Sequence, residues 1–118
     1  MRSIVIVALM LPALLAGVHG AKAHAQLDHA SPAVGSMVSP SPARVSLFFT
    51  EKVEPKFSSI EVRNSAGARV DSGGVTVSGT TMSVGLKPLP AGSYNVRWRV
   101  LSVDTHRTEG SFSFRVGP

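Results

Sequence analysis

The sequence contains no cysteine among its 118 residues. This absence excludes a disulfide framework, a lipid-modified N-terminal cysteine, a zinc ribbon and a thiolate copper site. Any metal site in the chain must therefore use nitrogen, oxygen or thioether ligands.

Long hydrophobic runs are equally scarce. The apolar run from Ile4 to Leu15 is shorter than the roughly 20 residues that a membrane-spanning helix needs, and no later run approaches that length. Arg2 precedes this run and Ala21-Lys22-Ala23 follows it, which is the order of a signal peptide with its A-x-A cleavage signature. We therefore predict a signal peptide over residues 1–23, one exported mature domain over residues 24–118 and no membrane anchor.

Positive charge is neither large nor concentrated. Arg2 and Lys22 lie in the predicted signal peptide, so 10 of the 12 basic residues remain against 7 acidic residues, a net charge of +3. The remaining basic residues are scattered and do not cluster with aromatic side chains. We therefore expect no nucleic-acid partner.

Hydrophobic alternation is the main structural signal after position 24. No helical period is present, and short alternating segments are separated by clusters of Pro, Gly, Ser and Asn. The predicted strands lie near residues 27–30, 44–50, 58–62, 75–77, 82–86, 94–101 and 112–116. About seven strands in one small domain predict an all-β, immunoglobulin-like Greek-key β-sandwich. Tyr94 and Trp98 fall on the apolar face of their strand, so we expect them in the core.

Two short segments have the chemistry of metal ligands. Cleavage after Ala23 would give His24 both a free α-amine and an imidazole, with pKa values of about 7.7–8.0 and about 6.5, so that one residue becomes a bidentate chelator. Asp104 and His106 lie two positions apart and project in the same direction if the chain between them is extended. Cu(II) favours such nitrogen and oxygen donors in a square plane.

Each segment also has a simpler interpretation. A histidine after a signal peptide is often accidental, and Asp-x-His in a loop often serves turn formation or a surface hydrogen bond. His29 lies five residues after His24 and is most simply an exposed histidine. An alternative interpretation is that it binds copper when the copper concentration is high.

Several short blocks follow one another along the predicted mature chain. They are His24-Ala25-Gln26-Leu27 with Ser31-Pro32 and Gly35, Phe49-Thr50-Glu51-Lys52-Val53-Glu54-Pro55 with Phe57-Ser58, Leu89-Pro90-Ala91-Gly92-Ser93-Tyr94-Asn95-Val96-Arg97-Trp98, Ser102-Val103-Asp104-Thr105-His106, and Gly110-Ser111-Phe112-Ser113-Phe114. This ordered series resembles the signature of the CopC-like periplasmic copper-resistance proteins, and the resemblance covers the whole mature chain.

The resemblance implies a fold and a ligand set. The fold would be a cupredoxin-like Greek-key β-sandwich. One Cu(II) ion would be held by the amine and imidazole of His24, the carboxylate of Asp104 and the imidazole of His106. Glu51 matches a family glutamate beside the site, where it would orient the ligands rather than bind the metal. An equally supported interpretation is a solvated carboxylate at the end of a strand.

Methionine is scarce in the mature chain, which departs from the fullest pattern of the family. Only Met37 and Met82 remain after cleavage, and Met82 alternates with Val84 and Leu86 in the manner of a core residue. We therefore expect no dedicated Cu(I) site.

The leading functional hypothesis is a periplasmic copper-binding protein that serves copper resistance, buffering or delivery to a membrane transporter, without catalysis. The resemblance suggests an inner-membrane copper permease of the CopD type as a partner. We expect a monomer, while a dimer that shares ligands stays open. The two alternatives are a histidine-brace copper monooxygenase and a metal-free immunoglobulin-like interaction module.

Overall fold

A computed structural model of the protein describes residues 25–118. The predicted signal peptide and His24 lie outside the described residues. No helix in this part of the chain is long and apolar enough to cross a membrane.

The described residues form eight β-strands. The strands are β1 (Leu27–Ser31), β2 (Met37–Val38), β3 (Arg44–Phe49), β4 (Ser59–Asn64), β5 (Asp71–Ser78), β6 (Thr81–Leu86), β7 (Gly92–Leu101) and β8 (Arg107–Val116), with a 3₁₀ turn over Pro55–Phe57 between β3 and β4. One sheet has the order β1-β3-β6-β5 and the other the order β2-β8-β7-β4. The predicted all-β sandwich is confirmed.

The chain changes sheets at five of the seven connections between its strands. Only β5–β6 and β7–β8 are hairpins within one sheet, and the other connections cross between the sheets. The count of about seven strands was one short, because β2 is only two residues long and pairs in parallel with β8 through Met37 and Arg115. A pair of residues is too short to show alternation.

The core lies between the two sheets. Along β7 every second residue from Tyr94 to Val100 is buried, and Phe112, Phe114 and Val116 of β8 continue the same inner face. Burial of a large apolar side chain contributes about 1.5–3 kcal/mol. These buried residues therefore stabilise the packing of one sheet against the other. The predicted core positions of Tyr94 and Trp98 are confirmed.

The position of the Trp98 ring explains why residue 110 is a glycine. This ring meets Phe49 edge to face, with ring centroids 5.1 Å apart. Gly110 lies opposite Trp98 on β8, where an added Cβ would be only 2.6 Å from the indole Cζ2 atom. A side chain at position 110 would therefore force the Trp98 ring or the backbone of β8 to shift.

The crossing from β4 to β5 is held by the buried carboxylate of Asp71. It accepts hydrogen bonds from the Val62 amide at 2.8 Å, the Arg69 guanidinium at 2.8 Å and the Gly73 amide at 2.9 Å. Burial raises the pKa of Asp71, but these bonds and the charge of Arg69 outweigh burial, so its pKa lies below the ordinary value. The pairing register of β5 shifts between Asp71 and Val75, where Gly73 has a positive φ of 89°.

Candidate metal site

Asp104 and His106 lie in the loop that joins β7 to β8. This loop is a tight turn, in which the Thr105 amide donates to the Ser102 carbonyl at 2.9 Å and the Ser102 amide donates to the His106 carbonyl at 2.9 Å. Thr105 has a φ of 72°, in the left-handed region that β-branched residues rarely adopt. The chain between Asp104 and His106 is therefore not extended, and the spacing argument made under that condition does not apply.

The turn nevertheless brings the two candidate ligands together. The Asp104 Oδ1 atom lies 3.4 Å from the His106 Nδ1 atom, and both side chains are partly exposed. Nitrogen and oxygen ligands lie about 2.0–2.2 Å from zinc, so two donors at right angles around an ion of that size are about 3 Å apart. The pair can therefore occupy neighbouring positions around one metal ion.

Ser102 contacts both candidate ligands, an arrangement that the sequence did not indicate. Its side chain is fully buried, and its hydroxyl donates a hydrogen bond to the Asp104 carboxylate. The same oxygen accepts a hydrogen bond of 3.3 Å from the His106 amide. A serine at the end of a strand carries no sequence signal for this role beyond its place two residues before Asp104.

The electrostatics of the loop favour the ionised form of Asp104. The hydrogen bond from Ser102 lowers the pKa of this carboxyl group most, burial raises it, and the contact with His106 lowers it further, so its pKa lies below the ordinary value. A carboxylate must be deprotonated to bind a metal ion. Asp104 is therefore in its ligating form at neutral pH.

The segment after β3 is bound to the same end of the sandwich. The Val103 amide donates to the Lys52 carbonyl at 3.1 Å, and the Glu54 amide donates to the Leu101 carbonyl at 2.8 Å. Val53 and Ser102 form an isolated β-bridge between these two hydrogen bonds. This pairing joins Lys52, the residue after Glu51 in the chain, to the Asp104 loop.

Glu51 is half-buried, but its role stays a prediction. Within residues 25–118 its carboxylate forms no hydrogen bond or ion pair, whereas Asp104 and His106 contact each other directly. No three His, Asp or Glu side chains of this part of the chain lie close enough together to hold a metal ion. The described residues thus contribute two donors to the predicted ligand set, and His24 lies outside them.

The first described residues are anchored beside the same loop. Ala25 is fully buried, and its carbonyl accepts a hydrogen bond of 2.7 Å from the Thr108 hydroxyl, two residues after His106. The Gln26 amide donates to Thr50 Oγ1 at 3.0 Å, and the Thr50 amide donates to the Gln26 carbonyl at 2.9 Å. Three segments of the chain therefore meet at one end of the sandwich.

The remaining candidate residues lie in other surroundings. The His29 ring is exposed, contacts the Asp28 carboxylate at 2.7 Å and stacks on Phe48 with ring centroids 4.2 Å apart. Met82 is fully buried, which confirms its predicted core position, and Met37 is 61% exposed on β2. His29 is thus partnered on the face of β1 and is not joined to the Asp104–His106 pair.

The fold and the site together define a small two-sheet β-sandwich domain with a carboxylate and an imidazole side by side on an end loop. The family model described as the CopC domain matches residues 27–117. This match spans more than half of the sequence, and the chain belongs to the CopC domain family.

Known relatives agree with this assignment. Copper resistance protein C of Xanthomonas campestris pv. juglandis is 36% identical over 124 residues, which cover 98% of this chain and 96% of that protein. The crystal structure of CopC from Methylosinus trichosporium OB3b superposes with a TM-score of 0.76 and 38% identity, covering 80% of this chain and 95% of that one. PcoC, described as a methionine-rich copper resistance protein from Escherichia coli, superposes with a TM-score of 0.69 and 30% identity over 79% of this chain and 98% of that one.

Proposed function

We propose that this chain is a periplasmic copper-binding protein that holds one Cu(II) ion and serves copper resistance, by buffering the ion or delivering it. The proposed ligands are the α-amine and imidazole of His24, the carboxylate of Asp104 and the imidazole of His106. The observation that carries this proposal is the 3.4 Å contact between the Asp104 and His106 donors beside the anchored Ala25. The names of the relatives, which refer to copper resistance, support the choice of metal.

Covalent geometry supports the contribution of His24. Thr108, two residues after His106 in the chain, donates a hydrogen bond to the Ala25 carbonyl. Ala25 is bonded directly to His24, so this anchor supports His24 as a third contributor to the same site. Cleavage between Ala23 and His24 would place a free amine and an imidazole on that residue.

The donor set favours Cu(II) as a bound cargo over a catalytic centre. Two imidazoles, one amine and one carboxylate supply four hard or borderline donors, which suit a square-planar Cu(II) site. Asp104 would occupy a position in that plane, where a copper monooxygenase needs an open position for oxygen. The ionised state of Asp104 adds a negative charge that stabilises the divalent ion over the monovalent one.

One experiment tests the site on the exported, processed protein. Intact mass should show a first residue at His24, and titration should show one Cu(II) ion with a weak d–d band and no intense blue colour, because no thiolate is present. His106→Ala should weaken Cu(II) binding by orders of magnitude, while the matched His29→Ala should leave it unchanged. A start at another residue, or a loss of affinity in His29→Ala like that in His106→Ala, would refute the ligand set.

The partner and the oligomeric state are further parts of the proposal. An inner-membrane copper permease of the CopD type would exchange copper with the protein, which would act as a monomer. Deleting the permease gene should change cellular copper content only when His106 is intact. Equal changes with intact protein and with His106→Ala would argue against this partnership, and sedimentation of the Cu(II)-loaded protein as a dimer would argue against the monomer.

A further inference from the structure

A basic groove lies beside the candidate metal site, on the outer face of the sheet that contains β7 and β8. Its lining residues are Lys56, Phe57, Ser58, Ser59, Arg99 and Arg107. Three of these side chains are cationic, none is acidic, and Arg107 directly follows His106 in the chain.

Backbone and side-chain hydrogen bonds fix the walls of this groove. The Leu101 amide donates to the Ser58 hydroxyl at 3.2 Å, and the Glu54 amide donates to the Leu101 carbonyl at 2.8 Å. These bonds hold the 3₁₀ turn that carries Lys56 against the end of β7. The cations are therefore gathered by ordered backbone rather than by a flexible loop.

One neighbouring carboxylate, that of Glu109, offsets part of the positive charge of the groove. It lies 3.0 Å from Arg97 and 3.9 Å from Arg99, and Glu109 lines an adjoining cavity with Arg99 and Arg107. The ion pairs formed within residues 25–118 include neither Lys56 nor Arg107. Like charges gathered in this way repel one another until an anion binds among them.

We propose that this groove binds an acidic segment of a partner protein. Guanidinium groups bind carboxylates through paired hydrogen bonds, and Lys56 adds a third positive charge at the same place. The exposed ring of Phe57 offers an apolar contact to the stem of an acidic side chain or to its neighbour. The docking itself requires no metal, and its use in copper exchange rests on the proposed function.

The composition of the groove favours a protein segment over a membrane surface. Two serines line it beside the cations, and their polar side chains suit a hydrogen-bonding peptide. Membrane-surface binding draws on a broad apolar face or on four to eight clustered basic residues. The groove has three cations and one exposed aromatic ring.

The test measures binding of a fluorescent oligoglutamate peptide by anisotropy at low ionic strength. The groove variant is Lys56→Gln/Arg99→Gln/Arg107→Gln, and the matched control is Arg44→Gln/Lys87→Gln/Arg115→Gln, which removes the same charge elsewhere. We expect the groove variant to bind the peptide about tenfold more weakly than the control, since each exposed ion pair contributes at most about 1 kcal/mol. Added salt should weaken binding to the wild type.

Any other result obtained with folded variants refutes the proposal. Equal losses in the two triple variants would show attraction by net charge alone. In a second outcome, the wild type fails to bind the peptide and binds phosphatidylserine vesicles more tightly than the groove variant does. That result would show that the groove binds a membrane surface. If the triple variant does not fold, Arg99→Glu compared with Arg115→Glu repeats the test with single changes. Cu(II) affinity measured on the same samples separates this result from the proposed function, because the peptide should bind the metal-free wild type as well.

Discussion

The buried hydroxyl of Ser102 donates a hydrogen bond to the carboxylate of Asp104, and the same oxygen accepts the amide of His106 at 3.3 Å. One atom in the core thus fixes both the side chain of one proposed ligand and the backbone of the other. The turn itself contains Thr105 in a left-handed conformation, so it depends on such outside support.

Replacing Ser102 with alanine should therefore weaken Cu(II) binding without removing a ligand. We expect a loss of about 10- to 100-fold, the usual effect of changing a residue that orients a metal ligand. Competition with a Cu(II) chelator measures the affinity. Ser83→Ala is the matched control, since Ser83 is a buried serine on the other sheet. Unchanged affinity in Ser102→Ala would show that the turn orders the ligands without this hydroxyl.

Adding one residue before His24 tests the proposed contribution of the α-amine. The imidazole would remain, but the amine would leave the chelate ring, so Cu(II) affinity should fall by orders of magnitude. Glu51→Gln should cost only about 10- to 100-fold, because it acts through orientation and local charge. A residue added after Pro118 controls for chain length. An extended protein that still binds Cu(II) like the wild type would exclude the amine as a ligand.

The methionine content predicts a preference for Cu(II) over Cu(I). Met82 is fully buried in the core, so Met37 is the one exposed thioether among residues 25–118. One thioether cannot form the soft multidentate site that Cu(I) favours. Met37→Leu should therefore leave Cu(I) binding unchanged in competition with a Cu(I) chelator. A tight, stoichiometric Cu(I) site that Met37→Leu abolishes would contradict this reading.

Asp71 should make the fold sensitive to acid. Its pKa is lowered in the folded protein, so its contribution to stability is present above the unfolded pKa of about 3.9 and is lost as the pH falls through the folded pKa. Asp71→Asn should lower the free energy of unfolding by about 1–3 kcal/mol near neutral pH. The difference from the wild type should shrink near pH 3, as measured by urea denaturation.

The control for Asp71 is an ion pair on the surface. Glu61 contacts Arg63 at 2.9 Å with both side chains substantially exposed, so Glu61→Gln should change stability by less than about 1 kcal/mol. A difference between Asp71→Asn and the wild type that stays constant from neutral to acidic pH would show that the charge of Asp71 does not matter.

The sequence predicted those strands whose inner and outer faces differ in polarity. Strand β7 and the second half of β8 were predictable because their buried residues alternate with exposed ones, whereas the first half of β8, from Arg107 to Ser111, has no apolar alternation. The first half of β5 was not predictable, because Asp71 is buried through a hydrogen bond from Val62 of the other sheet and through bonds from Arg69 and Gly73. Gly73 also lies in a register shift. Such pairing depends on tertiary contacts that local alternation does not report.

The candidate site also has features that the sequence could predict and features that it could not. Asp104 and His106 could be named from their ligand chemistry and their spacing. The turn between them could not, because a threonine with a positive φ contradicts local preference and is held by contacts with Ser102. The anchoring of Ala25 by Thr108 joins residues far apart in sequence, and no local pattern marks such a hydrogen bond.

The register shift in β5 also bears on how the protein behaves when many copies are crowded together. Exposed sheet edges are templates for strand addition and aggregation. Both edges of the first sheet are irregular, since β1 and β5 each contain a register shift. In the second sheet, the edge strand β2 is only two residues long. At the opposite edge, the Val62 amide of β4 donates to the Asp71 carboxylate and the Val62 carbonyl accepts from the Val70 amide. Every edge of the sandwich is thereby shortened, bent or already occupied, which hinders fibril growth by edge-to-edge pairing.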